Sequence, residues 1–538
     1  ALEGLSCIVL EHQGVFGGTS ARSSGTVWVP DNSYMRAAGL TDDRVEAARY
    51  LEALVSGRGP RDMWETFLDR APEMQADLAA RAGIGFRPFV AAPDYRQDLP
   101  GAAAGWRALE PLPFDGRKLG AMFEKLARPL PELMVFGGMM VTRAEAGRLL
   151  RADRSIGGAS LGLRLVAQFL ADRLSYSRGA RLVLGNALVA RLLKAALDRG
   201  VEVRANVETT RLVMESGRAS GVETVTAGAP HRILARRGVV LAGGGFPASP
   251  EWRARELPQP VAEYTAAAPG CVGRTLELAM NVGATLGPSG MDNALWFPSS
   301  IAKRADGSTA VYPHIVLDRS KPGSLVVDGA GKRFVNEAVS YHEFVRGMYR
   351  ANQADPAVPA WMICDREFIR RYGFGLIRPR TPSLRKYVRD GYLSEAATIP
   401  ALAEKIGVPA EGLAATVARF NGFAASGEDL DFHRGETIYD RGNGDPAHAP
   451  NPCLGPVAHG PFYAVALLPT PLGTSRGLVA DRHARVLDRD GQAIPGLYVC
   501  GNDMQSAFGG EYPGAGGQLG QGMTFGWIAA RHAAGRDV

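Results

Sequence analysis

Leu5-Ser-Cys-Ile-Val-Leu-Glu11, and the run close behind it, Gly14-Val-Phe-Gly17-Gly18-Thr19-Ser20-Ala-Arg22-Ser23-Ser24-Gly25, decide the fold. The first reads as a short buried strand ending on a carboxylate. In a dinucleotide-binding α/β sheet, the acid at the end of the second strand accepts hydrogen bonds from a ribose. The second run is rich in small residues and hydroxyls, which let backbone N–H groups and Ser/Thr side chains close on a pyrophosphate. Either piece alone is ambiguous: a strand-end Glu can be an ordinary surface residue, and such a loop an ordinary turn. Their adjacency is the specific signal. The first strand of such a sheet and its G-x-G-x-x-G turn lie about 20 residues before the acid. Ala1-Leu2-Glu3-Gly4 reads as the end of the helix after that turn, so the first βα unit is expected to be missing from the sequence as written.

Outward from this stretch, helical periodicity covers Thr41–Gly57, opened by Thr-Asp-Asp, and then Pro60–Ala82, Leu161–Arg178 and Ala187–Arg199. Short strands are predicted at Val201–Arg204, Thr210–Glu215, Gly221–Thr226 and Ile233–Ala242. The last runs into Gly243-Gly244-Gly245, as a chain returning to a nucleotide-binding sheet does. From Met291 to Pro452 the texture changes to mixed strands (Ser324–Asp328, Trp361–Cys364), helices (Ile399–Ile406, Glu411–Ala425) and many Tyr, Phe and Pro residues, which suggests an inserted substrate domain. Strands then resume at Phe462–Leu468, Gly477–Ala480, Ala484–Leu487 and Leu497–Cys500, with a hairpin at Asp488-Arg-Asp-Gly491. Gly516-Gly517-Gln518-Leu519-Gly520-Gln521-Gly522 opens a final helix to about Ala533. The expected organisation is a nucleotide-binding part over 1–290, an insert over 291–452, and a second nucleotide-binding part over 453–538.

Composition narrows the class. Of 538 residues, 46% are hydrophobic and 22% charged, which excludes a disordered tail, a coiled coil or a collagen-like fibre. No apolar run reaches the ~18 residues of a spanning helix. Lys+Arg number 61 against Asp+Glu 55, a net charge of +6, and the excess is spread out. Its densest part, Arg378 to Arg389, lacks the aromatic pattern of a nucleic-acid surface and reads as solvated. The five cysteines are far apart and form no C-x-x-C pair, a reducing-compartment pattern that fits a cytoplasmic location. Nine histidines show no ligand spacing, so no metal is assigned, and His314 and His342 read as ordinary hydrogen-bonded side chains. Glycine, 66 of 538 residues against a usual ~7%, clusters in turns where backbone would approach a ligand.

The order of Glu11 with Gly17-Gly18-Thr19-Ser20, then Ala242-Gly243-Gly244, Gly496–Asn502 and Gly516–Gly522 resembles the flavoproteins of the fumarate reductase and succinate dehydrogenase superfamily. Within it the chain looks most like the 3-ketosteroid dehydrogenases. The most specific pieces are the Gly17–Gly25 run, Arg333-Phe-Val-Asn-Glu337 followed by Tyr341, and Tyr512-Pro-Gly-Ala-Gly516. The resemblance implies non-covalent FAD held by a Rossmann-like α/β domain, with an inserted α+β catalytic domain. It assigns FAD contacts to Glu11, Gly17, Gly18, Thr19, Ser20, Ser23, Ser24, Gly25, Val207, Ala242, Gly243, Gly244, Gly501, Asn502, Gly517, Gln518 and Leu519.

The implied chemistry removes two hydrogens across a C–C bond beside a ketone. Tyr512 hydroxyl and Gly516 N–H match the family's pair of donors to the ketone oxygen, where charge grows in the transition state. Tyr341 matches the base, and hydride passes to flavin N5. A free phenol has a pKa near 10, and the family supports its base with another tyrosine; Tyr95, in Pro93-Asp94-Tyr95, is the candidate. The superfamily's carboxylate reductases keep an Arg four residues after R-F-x-N-E and another before the last L-G turn. Tyr341 and Gln518 stand in those places, which fits a neutral substrate. Met291-Asp-Asn-Ala-Leu-Trp296-Phe297-Pro298 offers apolar surface for a steroid-like ketone, or is plain core. An external electron acceptor is implied, with a quinone as candidate. Δ1-dehydrogenation is preferred to the Δ4(5α) reaction, whose expected Tyr-x-Ser arrangement is replaced by Tyr512-Pro513-Gly514. The alternatives are reduction of an activated C=C bond, a degenerate FAD-free fold, and membrane association instead of a free cytoplasmic protein.

Overall fold

The computed structural model describes residues 1–40, 42–149, 155–315 and 318–536. β1 (Ile8–Glu11) ends on the carboxylate, and α1 (Gly18–Arg22) begins beyond Gly17, whose φ of 118° suits a residue without a Cβ. The chain then lays down two helices, Arg44–Val55, N-capped by the Asp43 carboxylate, and α2 (Arg61–Ala82). Thr41, where the first of these was expected to start, lies outside the described residues. α3 (Ile156–Arg173) ends earlier than the expected Arg178. Buried Asp172 accepts the Ala180 N–H at 2.7 Å and turns the chain away.

After the helix Leu184–Leu197, β2 (Glu202–Ala205) returns beside β1 and pairs with it in parallel, Glu11 opposite Ala205. A parallel pair needs a long crossover, and the helices between the two strands supply it. A three-stranded meander, Glu208–Glu215, Arg218–Thr226 and Ala229–Leu234, leads to β3 (Val239–Leu241). The stretch 233–242, expected as one strand, is therefore two. Gly238, at φ 152°, lets the chain pass so close to Gly496 that a Cβ there would lie 2.5 Å from its carbonyl oxygen.

The middle of the chain forms one antiparallel sheet. β4 (Ala294–Lys303), β5 (Thr309–Pro313), β6 (Ser324–Val327), β7 (Ala360–Asp365) and β8 (Phe462–Thr474) lie in the order β5-β4-β8-β7-β6, with α4 (Tyr341–Ala351) against β4. β8 is the central strand and runs well past the expected Leu468, because Thr470 to Thr474 continue to pair with Phe297 to Ala294. Position 453 precedes this strand, so the chain leaves the sheet only after Thr474. Gly477–Ala480, expected as a strand, contributes isolated bridges only. β9 (Arg485–Leu487) and β10 (Ala493–Val499) make the expected hairpin, β10 pairs in parallel with β3, and α5 (Gly517–Ala533) follows.

The core joins the two halves. Trp28 stacks on Phe67 of α2 at 5.8 Å, and Phe508 meets both rings edge-on. α5 docks on the same helix through Gly520, where a Cβ would lie 2.5 Å from the Trp28 carbonyl, and through Trp527 Nε1 donating to Asp77 at 2.8 Å. Burying each large ring contributes about 1.5–3 kcal/mol.

Candidate active site

A single cavity of about 3600 Å³ runs from the end of β1 to the start of α4. Glu11, Gly17, Gly18, Thr19, Ser20, Ser23 and Ser24 line its first end, with Val207, Ala242, Gly243, Gly244, Gly501 and Asn502. Val207 N–H donates to the Glu11 carbonyl at 3.0 Å, so the strand-end acid is fixed by its neighbour across the sheet. Buried Asp503 accepts the N–H groups of Gly243 at 2.5 Å and Gly245 at 2.8 Å and ties the β3 turn to the end of β10. Gly18 and Gly501 have open space where a Cβ would stand. Gly25 and Gly517 lie behind the wall: Gly25 packs on the backbone of Leu184 and Gly185, and Gly517 against Pro513. Gln518 and Leu519 line the cavity at the entrance of α5, and the buried Gln518 Nε2 has no partner among the described residues. A strand-end acid, a glycine cradle and an orphaned amide donor on one wall fit an adenine dinucleotide.

The other end is aromatic. The Tyr95 and Tyr341 hydroxyls are 2.7 Å apart. The Tyr341 ring meets Phe297 at 4.6 Å and Tyr512 at 5.7 Å, both edge-on, and Tyr95 lies 5.2 Å from Tyr512. Gly516 caps α5 at φ 97°, lines the cavity, and its N–H donates to no group among the described residues. Sequence-distant segments are bolted together here. The Pro513 carbonyl accepts from Tyr50 hydroxyl at 2.7 Å and from Tyr95 N–H at 3.1 Å, which sets the Tyr95 loop against the Tyr512 turn. Asp94 fixes that loop from behind, taking Trp28 Nε1 at 2.8 Å and Arg107 at 2.6 Å.

Burial pushes the Tyr341 phenol well above its ordinary range. Tyr95 is raised by the same burial, and Tyr512 is pushed up to about 12 by burial, with Tyr341 drawing it back. All three phenols are neutral near pH 7.

Two buried ion clusters hold α4. Arg333 makes a paired contact with Glu337, 2.7–2.8 Å, and another with Asp429, 2.7–2.9 Å, while Arg434 also reaches Glu337 at 3.1 Å. Burial works against the Glu337 charge, but Arg333 and Arg434 win and hold its carboxyl below the usual range. The Arg-Phe-Val-Asn-Glu motif is thus scaffold directly ahead of Tyr341. Arg346 donates to Asp292 at 2.8 Å, to Glu511 at 2.7 Å and to the Gly510 carbonyl at 3.3 Å, which anchors the residues before Tyr512. It also bridges Glu343 and Glu511, so its guanidinium already occupies the grouping of His342, Glu343 and Glu511 that stands close enough to share a cation. His314 is hydrogen-bonded through both ring nitrogens, as expected. His342 is not: it is fully buried beside Tyr512 and near the Gly510 backbone, neither ring nitrogen has a well-formed hydrogen bond among the described residues, and burial depresses its pKa.

Tyr439 was not visible in the sequence. It lines the cavity and meets the Tyr95 ring at 5.3 Å. The run 291–298 divides as its two readings suggested: Phe297 faces the cavity, and Trp296 is core, bonded to Asp292.

A dinucleotide cradle that opens onto paired phenols and an uncommitted helix-cap N–H belongs to the flavin-dependent oxidoreductases. The chain belongs to the FAD binding domain family, whose pattern matches residues 1–519. It is 37% identical to a 3-oxosteroid 1-dehydrogenase of Mycolicibacterium smegmatis over 98% of this chain and 93% of that protein. It is also 36% identical to a 4-oxocyclohexanecarboxylate 2-dehydrogenase of Sinomonas cyclohexanicum, covering 100% of this chain and 90% of the relative. Among solved structures, the 3-ketosteroid Δ1-dehydrogenase of Sterolibacterium denitrificans in complex with 1,4-androstadiene-3,17-dione superimposes with a TM-score of 0.92 at 36% identity, covering 99% of this chain and 95% of that one.

Proposed function

We propose that this chain is an FAD-dependent 3-ketosteroid Δ1-dehydrogenase. The observation that carries the reading is the Tyr95–Tyr341 hydroxyl pair at 2.7 Å, set beside Tyr512 and the uncommitted Gly516 N–H. Tyr512 hydroxyl and Gly516 N–H hold the ketone oxygen. Two donors aimed at an oxygen on which charge grows make the adjacent C–H acidic. Tyr341 takes that proton, and Tyr95 stabilises the phenolate through the short bond. The apolar walls, Phe297 among them, exclude water from the reacting carbons. Glu11, the Gly17–Ser20 turn, Ala242–Gly244, Asn502 and Gln518 would hold FAD, which when bound would supply the acceptor for the hydride leaving the neighbouring carbon, with an external oxidant, a quinone by our reading, to take up its electrons. FAD-loaded protein given an artificial electron acceptor should oxidise a 3-ketosteroid and ignore succinate; the reverse preference would remove the reading.

A second reading, a small cyclic ketone acid as substrate, draws on a different feature. Lys321 lines the cavity and its ammonium bonds only the Asn443 and Gly444 carbonyls, at 2.8 and 2.7 Å, with no carboxylate partner among the described residues. Comparing kcat/KM for a 3-ketosteroid with that for 4-oxocyclohexanecarboxylate decides between them.

Two further points of organisation follow. The catalytic insert begins near 291 and includes β8, between FAD-binding parts on either side. No described helix is long and apolar enough to cross a membrane. α3, however, is apolar on both faces. Leu161, Leu165 and Phe169 point inward, while Ile156, Leu163, Leu170 and Leu174 are 91%, 75%, 59% and 88% exposed along the opposite stripe, flanked by Arg164 and Arg173. Such a stripe with basic flanks suits an anionic lipid surface. Cosedimentation with anionic vesicles, lost in Leu163→Glu/Leu170→Glu, is the expected result.

A further inference from the structure

The Phe374–Ile377 turn lines the cavity, closed on itself by Phe374 N–H to Ile377 carbonyl at 2.7 Å and the reciprocal bond at 3.0 Å. It belongs to no strand of the central sheet. What holds it is a chain of buried polar side chains that the chemistry above does not use. Gly375 N–H donates to Asp318 Oδ2 at 3.0 Å, and the same oxygen lies 2.7 Å from His314 Nδ1. His314 Nε2 lies 2.7 Å from Ser300 Oγ, and Ser300 Oγ lies 2.7 Å from the Tyr392 hydroxyl. The Tyr392 hydroxyl finally accepts the Leu376 N–H at 2.9 Å. The chain therefore starts and finishes on two consecutive backbone amides of one turn. It is a closed ring.

Donor counting gives the ring one consistent direction. Leu376 N–H donates to Tyr392, Tyr392 O–H to Ser300, Ser300 O–H to His314 Nε2, and His314 Nδ1–H to the carboxylate, which also takes Gly375 N–H and, on its other oxygen, Arg319 N–H at 2.8 Å. Burial opposes the Asp318 charge, but His314 and these amides hold its carboxyl below the usual range. Every ring member is buried: His314 and Ser300 are no more than 1% exposed, Asp318 2% and Tyr392 8%. A fully satisfied buried network is rigid, and breaking any one link leaves a buried group unpaired. Gly375 fits the ring for the same reason: at φ +58°, a Cβ there would lie 2.0 Å from the Tyr392 hydroxyl and 3.1 Å from Ser300 Oγ.

We propose that the Asp318–His314–Ser300–Tyr392 ring is a positioning device for substrate selection, which fixes the Phe374–Ile377 turn as the cavity wall against which the ketone packs. It rests on the ketone dehydrogenase reading. No hydrogen bond or ring contact joins Asp318, His314, Ser300 or Tyr392 to Tyr95, Tyr341 or Tyr512, so the ring's effect falls on how the substrate is held and not on proton removal.

The test uses the full-length, FAD-loaded enzyme and a 3-ketosteroid, with Tyr392→Phe, which keeps the ring's bulk, and Ser300→Ala, which breaks a different link. Each should raise KM about five- to tenfold, the scale of one lost buried hydrogen bond, while kcat stays within about twofold. The double variant should do no more than either single, because one break opens the ring. Amide hydrogen exchange at Gly375 and Leu376 should be slow in the parent and faster in each variant, a readout independent of turnover. Unchanged exchange and KM, or a fall in kcat at constant KM, would overturn the device while leaving the dehydrogenase reading intact. Absence of ketosteroid oxidation by the parent would overturn both.

Discussion

Two buried polar clusters leave the same helix five residues apart and behave in opposite ways. Tyr341, at the first position of α4, enters a cluster of neutral phenols; Arg346 enters a cluster of fixed charges with Asp292 and Glu511. Both are out of water, and both bring together segments more than a hundred residues apart in the chain. The phenols keep protons that can move, because burial makes their charged forms costly. In the ion cluster burial pushes the Asp292 and Glu511 carboxyls up, and Arg346 pulls against it, so each charge depends on its partner. On the proposed mechanism the chemistry sits on the neutral side and the rigidity on the charged side. Gly510 and Glu511, gripped by Arg346, deliver Tyr512 from one side to the other.

The strongest way to break this contrast is Arg346→Leu. It leaves Asp292 buried without its cation and Glu511 with Arg58 alone, at 3.1 Å, which costs about 3–5 kcal/mol. A urea midpoint close to the parent's would show that the cluster is not scaffold. Next comes Tyr512→Phe. Loss of one donor to a growing oxyanion costs about 2.7–4 kcal/mol in the barrier, a 10²–10³ fall in kcat. The Tyr512 hydroxyl also shares a hydrogen bond with Tyr341, so the unfolding midpoint should fall only by the ~1 kcal/mol of one such bond, well short of the Arg346→Leu loss. Equal damage to activity and stability would erase the distinction drawn here.

Tyr95→Phe is smaller and sharper. The paired hydroxyls titrate as a unit, and each stabilises the other's anion, so the pair releases its first proton more readily than either phenol alone. The base must be deprotonated to act and burial raises its pKa, so kcat/KM should climb with pH through the neutral range. In Tyr95→Phe the climb should shift to higher pH, with up to about a tenfold loss at neutral pH. A profile superimposable on the parent's would exclude Tyr95 from the proton's path.

The smallest effect is on stability in alkali. Tyr50, Tyr95, Tyr312 and Tyr341 have folded-state pKa values raised by burial above the unfolded ~10. Their contribution is complete below pH 10 and declines as pH rises further, by at most about 1.4 kcal/mol per phenol per pH unit. The arginine cluster does not titrate there. A melting temperature flat from pH 9 to 11 would contradict the neutral burial of the phenols.

The sequence made the catalytic end legible where chemistry and local geometry coincide. Glu11 ends a strand beside a glycine turn and is singled out by that local pattern, and Tyr512 and Gly516 stand among glycines at a helix entrance, where the resemblance gives them their proposed role. Tyr95 could be named only by resemblance, because its loop is built by Asp94, Arg107 and the distant Pro513 carbonyl. Tyr439, Asp292 and Arg346 were invisible for the same reason: each is an ordinary residue type whose meaning lies in partners far along the chain. β8 runs beyond the expected Leu468 through Pro469 and Pro471, residues without the N–H that a ladder needs. They stand within the register against Pro298 and Trp296, where the lost donors are tolerated beside a bulge.

The bond from Tyr50 hydroxyl to the Pro513 carbonyl spans 463 residues, and the Asp503 contacts to Gly243 and Gly245 span about 260. Contacts of that separation are the slow ones in folding, because the loop must be closed before anything rewards the closure. Here the same contacts join both ends of the cofactor cradle. A ligand that binds only the finished topology pulls the folding equilibrium toward it. Flavin bound across that cradle should therefore raise the unfolding midpoint as its free concentration rises, so apoenzyme and holoenzyme differ in persistence as well as in colour.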